Sequence, residues 1–96
     1  MFRRHKRNPW KISLDIAREI SRRGFPAEAK PVTVRSAIED VRKRAIVFPG
    51  RGVAVINNEL NIIVASTNSP LRQAPAFKYE KAEAAAENIL RNLPLP

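Results

Sequence analysis

The stretch that most constrains the fold runs from Ala45 to Ser66, the most apolar and β-branched part of the chain. Two sets of turn residues divide it. Pro49-Gly50 suits the two central positions of a type II turn, because proline presets φ and glycine accepts φ > 0. Asn57-Asn58 suits the left-handed region that a tight hairpin uses, though less readily than Asn-Gly. The spacing predicts an antiparallel meander of Ile46–Phe48, Gly52–Ile56 and Leu60–Ser66. A sheet that small is marginal alone and needs flanking helices. Alternation turns Val53 and Val55 to one face and Ala54 and Ile56 to the other; Leu60, Ile62 and Val64 likewise oppose Ile63 and Ala65. Both faces are partly apolar, so cover is expected on both sides, from helices or from a second copy in a homodimer.

Upstream, a first helix has a clear start and stop. Asn8 is a good N-cap, and Pro9 fits the first helical position, where its missing N–H costs nothing. Trp10, Ser13, Leu14, Ile16, Ala17 and Ile20 form its expected apolar face, with Lys11, Asp15, Arg18 and Arg22 opposite. Arg22-Arg23-Gly24-Phe25-Pro26 ends it with cations in the last turn, glycine at C′ and an apolar residue at C″. Residues 25–32 then read as a connector broken by Pro26 and Pro31, too long for the turn of a helix-turn-helix.

A second helix is expected over Val34–Lys43, since Val34, Ile38, Val41 and Ala45 keep helical spacing and Ser36 with Glu39 forms a capping box. The alternation of Val32 and Val34 leaves a short strand before it as the alternative. Thr67 to Phe77 reads as a polar loop, and a last helix as running from about Lys78 to Leu93, with Tyr79, Ala82, Ala86, Ile89 or Leu90, and Leu93 as its stripe. The expected fold class is therefore α+β: two N-terminal helices, a three-stranded meander over about 46–66 and a C-terminal helix packed on the sheet. Residues 1–8 form a basic arm and 9–96 one domain.

Composition excludes several kinds of chemistry. There is no cysteine, so structural disulfides, thiolate zinc sites and thiol nucleophiles are ruled out. His5 is the sole histidine and lies in the arm, so no metal or other cofactor is expected. The apolar runs are too short to span a membrane, and the basic N-terminus is not followed by the apolar segment of a signal peptide. A cytoplasmic location is the expectation.

Charge is the most informative quantity. The chain of 96 residues carries 18 basic and 9 acidic groups, a net +9. Residues 1–11 hold +5 of it with no acid; residues 12–45 carry eight basic against five acidic groups, and 46–96 five against four. A potential concentrated at one end points to a polyanionic partner. The candidate nucleic-acid-binding residues are Arg3, Arg4, Lys6, Arg7, Lys11, Arg22, Arg23, Arg42, Lys43, Arg44 and Arg51. Phe2, Trp10 and Phe25 stand near these cations and have rings able to stack on bases. Structural roles are favoured for two of them: Trp10 packs on the apolar face of the helix, and Phe25 completes its cap. At least one of Arg42, Lys43 and Arg44 is expected to complement a helix dipole. The segment Phe48 to Val53, with two glycines around Arg51, lacks the spacing and the Lys-Ser/Thr of a phosphate-binding P-loop, so a hairpin turn is favoured.

No paired acid/base motif emerges among the carboxylates, and no catalytic residue is assigned. The order of two helices, antiparallel sheet and terminal helix in a small basic chain resembles bacterial ribosome-dependent mRNA-cleaving toxins in architecture, without a shared motif. That resemblance implies a ribonuclease, in which Arg51 and Tyr79 are the residues to test. The leading expectation is instead a small nucleic-acid-binding module, RNA slightly ahead of DNA, docking phosphates through the arm and adjoining arginines. The alternative is a protein–protein adaptor or inhibitor acting through the sheet face or edge.

Overall fold

The computed structural model describes residues 8–36, 39–66 and 74–93. The elements in order are α1 (Pro9–Arg22), β1 (Glu28–Ser36), β2 (Glu39–Phe48), β3 (Gly52–Ile56), β4 (Asn61–Ser66), β5 (Ala76–Lys78) and α2 (Ala82–Asn92). The strands form one antiparallel five-stranded sheet in the order of the sequence. The chain is thus a small α+β structure, with two helices among the described residues where the sequence predicts three.

α1 starts and stops where the sequence predicts. The Asn8 Oδ1 accepts from the Trp10 N–H at 2.9 Å, with Pro9 in the first turn. At the other end the Gly24 N–H donates to the Ser21 carbonyl and the Phe25 N–H to the Ile20 carbonyl, the paired bonds of a Schellman cap, with Gly24 at φ +95°. The buried side is Ile12, Ser13, Ile16, Ala17 and Ile20. This stripe is rotated from the expected one. Ile12 is inside, whereas Trp10 (40% exposed) and Leu14 (45%) are outside.

The expected second helix does not form. Val34 to Lys43 is divided between β1 and β2, which pair from Glu28–Val47 to Ser36–Glu39; Ala37 and Ile38 lie outside the described residues. The competing signal won for a nonlocal reason. β2 continues the register into β3, Ile46 opposite Ala54 and Phe48 opposite Gly52, and the Val32/Val34 alternation belongs to its partner strand. Helical spacing over one short window is a weak preference that such pairing overrides. Pro31 is tolerated because β1 is an edge strand, where a missing N–H breaks no ladder on the outer side. The connector expected over residues 25–32 is accordingly shorter, since β1 begins at Glu28.

The meander is otherwise as read. Gly52–Ile56 is β3, and the Arg51 N–H donates to the Phe48 carbonyl at 2.9 Å with Gly50 at φ +74°, which makes Phe48 to Arg51 the expected type II turn. In the next turn the left-handed residue is Leu60 (φ 65°), not an asparagine. Asn57 serves differently: its Oδ1 accepts from the N–H groups of Glu59 and Asn61, both at 2.9 Å. The polar loop expected through Phe77 gives way at Ala76 to β5, which pairs with Asn61–Ile63. The last helix starts later than Lys78, because the Tyr79 N–H is bonded to the Leu60 carbonyl and Lys81 is extended.

Both helices lie on one face of the sheet. Ile12, Ile16, Ala17 and Ile20 of α1 and Ala85, Ala86, Ile89 and Leu93 form a single cluster with Ile46, Phe48, Ala54, Ile56, Ile62 and Val64. Ala85 and Ala86 of α2 are buried in that cluster, and α2 packs against α1 more extensively than against the sheet. On the opposite face Ala45, Val55 and Ala65 are buried outside that cluster, and Val47, Val53 and Ile63 are half-buried. The helices therefore cover one face of the sheet only.

Candidate nucleic-acid interface

The orientation of α1 decides where the cations fall. Its C-terminal end adjoins the β2–β3 turn, since the Arg51 guanidinium lies over the Phe25 ring, 5.5 Å from its centroid. Its N-terminal end adjoins the β3–β4 turn. There Asn8, Lys11 and Asp15 share an open recess of about 390 Å³ with Tyr79, whose N–H bonds Leu60. The two ends stand about 20 Å apart along the 14 residues of the helix.

The expected composite surface is therefore split. Lys11 is exposed at one end of α1, beside the point from which the arm departs; Arg3, Arg4, Lys6 and Arg7 themselves lie outside the described residues. Arg22, Arg23 and Arg51 gather at the other end. Arg44 belongs to the first end, opposite Ile56. Beyond it β1 and β2 continue as a two-stranded ribbon through Val32–Lys43 and Thr33–Arg42 to Ser36–Glu39, with no third strand alongside among the described residues. Arg42, Lys43 and Arg44 thus end no helix, and the expected dipole complementation is removed with the helix itself. The Arg44 Nε is buried without a hydrogen-bond partner, an arrangement that costs stability unless a ligand or water reaches it.

The arginines at the far end are partly engaged. Glu19 accepts from Arg22 Nη1 and from Arg23 Nε, both at 3.1 Å. Arg23 also donates to the Glu83 carbonyl at 3.4 Å, so it fastens α1 to the start of α2. Its side chain is 32% exposed, against 75% for Arg22. Arg22 is the one of the two available to a partner.

Sequence reasoning missed the outer flank of α1. An open groove of about 610 Å³ runs between α1 and β1, lined by Leu14, Arg18 and Arg22 on one side and by Ala27, Glu28 and Ala29 on the other. Arg18 was absent from the expected set, having been assigned only to the solvent face. Trp10, Leu14, Arg18 and Arg22 succeed one another at four-residue spacing, so they rise along this flank as one strip. The available signal was Ile12, Ile16 and Ile20, three isoleucines at the same spacing that claim the buried side and push Trp10 and Leu14 out. Phe25, 36% exposed, closes the far end. It does complete the cap as expected, but Trp10 does not pack on the core.

Two further readings can be placed. Gly52 is where β3 passes against the backbone of Ala65 and Ser66, so the glycines around Arg51 serve a turn and a close approach, as the hairpin reading requires. Arg51 and Tyr79, the pair a ribonuclease reading needs, stand at opposite ends of β3, and the architecture that suggested such an enzyme loses its second helix. No helix among the described residues is long and apolar enough to cross a membrane. No known family, curated protein or solved structure matches the chain, so its functional reading rests on this arrangement of cations, groove and exposed rings.

Proposed function

We propose that the protein is a non-enzymatic nucleic-acid-binding module, with RNA ahead of DNA, that docks phosphates through its N-terminal arm and the cations beside it. The observation that supports this most is the exposed flank of α1, along which Lys11, beside the point at which the arm departs, is succeeded by Arg18 and Arg22 at the groove. Phosphate contacts of this kind supply sequence-independent affinity and orient the ligand. The proposed setting is cytoplasmic, where RNA is encountered.

Fluorescence anisotropy with labelled single-stranded RNA, duplex RNA and duplex DNA, from low to physiological salt, tests the reading. About five phosphate contacts give a log–log salt slope near −4.5 on duplex DNA, and about −3.5 on single strands. Removal of residues 1–7 lowers both affinity and slope. A slope near zero, or affinity indifferent to that truncation, overturns the proposal.

The sheet favours a second reading. Val47, Val53 and Ile63 are half-buried on the face away from both helices, a surface suited to a protein partner or to a second copy in a homodimer. On that reading, sedimentation shows a dimer that Val53→Lys dissociates; a monomer at all concentrations removes the homodimer.

A further inference from the structure

The groove between α1 and β1 joins three features that a single strand of nucleic acid requires and a duplex does not. The first is an exposed ring on either side of the stretch of α1, Leu14 to Arg22, that lines it. Trp10 is 40% exposed in the first turn of α1, and Phe25 is 36% exposed beyond its last turn. A large ring 40% exposed at a helix N-terminus keeps part of its surface in water, where bases of any identity can stack on it. The second is charge between the rings. Arg18 and Arg22 line the groove against one acid, Glu28. The third is size. From Trp10 to Arg22 the helix rises about 18 Å, enough for about three extended nucleotides. A duplex hides its base faces in the stack, so it has no use for Trp10.

We infer that this groove is a single-stranded nucleic-acid channel in which Trp10 is a base-stacking platform and Arg18 and Arg22 hold the intervening phosphates. The inference rests on the nucleic-acid reading above and specifies its ligand class. Phe25, whose ring is already in contact with Arg51, is the second platform. Recognition of this type follows stacking and backbone charge, so it tolerates any base sequence.

The chain has one tryptophan, so the proposed platform reports on itself. Intrinsic fluorescence is titrated with oligo(dT) and oligo(rU) of about ten nucleotides and with a blunt duplex of equal length, while anisotropy of labelled strands measures binding independently. The expected result is quenching by single strands and little change with duplex. Trp10→Ala should weaken single-strand binding about tenfold with an unaltered salt slope, because one stacked base is lost and no phosphate contact is. Trp10→Phe should restore part of the affinity. Arg18→Gln with Arg22→Gln should lower the slope by about 1.4. Circular dichroism of each variant checks that the exposed-site changes leave the fold intact.

Single-strand binding seen by anisotropy, with tryptophan emission unchanged and Trp10→Ala equal to the parent, overturns the channel and leaves the nucleic-acid reading standing. A clear preference for duplex has the same consequence. Absence of binding to all three ligands at low salt defeats the nucleic-acid reading itself.

Discussion

The Arg51 guanidinium lies over the Phe25 ring, 5.5 Å from the centroid, and so ties the β2–β3 turn to the cap of α1. Two turns distant in sequence, each built from local proline and glycine signals, are joined by one cation–π contact. An exposed pair of this kind contributes about 0.5–1 kcal/mol. A double-mutant cycle of Arg51→Ala and Phe25→Ala, followed by urea unfolding, should return a coupling of that size. Strictly additive effects would show that the pair is not coupled.

Gly52 admits no side chain. A Cβ there would collide with the Ala65 carbonyl and stand 2.9 Å from the Ser66 Cα, and both obstacles are backbone atoms of the paired strand. Neither can swing aside as a side chain would. Gly52→Ala is expected to destabilise the fold by about 1–3 kcal/mol. Thermal unfolding measures this, and an unchanged midpoint would contradict the close approach of β3 and β4.

The start of α1 depends on Asn8. Its side chain satisfies the Trp10 N–H, one of the donors that a helix N-terminus leaves without a partner. Asn8→Ala should cost about 1 kcal/mol, while Asn8→Ser and Asn8→Asp should cost much less. Equal losses for all three in denaturant titrations would mean that the cap hydrogen bond is not the cause.

Core and flank of α1 should respond in opposite ways. Ile16 is fully buried within the cluster that both helices share, and Ile16→Ala is expected to cost about 2–5 kcal/mol. Leu14 is 45% exposed beside the groove. Leu14→Ala removes little buried surface and should cost well under half as much, since large losses come from cavities in the core. Comparable losses at both positions would mean that Leu14 is packed rather than exposed.

The rotation of that helix shows how far local reading reaches. Asn8, Pro9 and Gly24 define the ends of α1 through bonds no more than a few residues long, and these were legible. Which arc of the helix is buried depends on what lies opposite, here Ile46 and Phe48 of β2 and Ile89 of α2. Trp10 and Leu14 sit at the margin of the arc, so a small rotation moves both side chains from core to surface. The same limit hid Arg18, whose significance comes only from its position across the groove from Ala27 and Ala29.

The chain by itself determined its Pro49-Gly50 turn, its first helix, the facing of β3 and β4 and its strong positive charge, because each depends on residue type or on neighbours close in sequence. Tertiary structure decided the rest. Val34 to Lys43 satisfies a helical spacing, yet it forms strands, since its backbone pairs across a hairpin that β3 extends. Pro31 reads as an interruption until β1 is seen to be an edge. The cations are distributed to two ends of α1 because that helix lies along β1 and β2, and pairing and packing between distant segments are what orient it there.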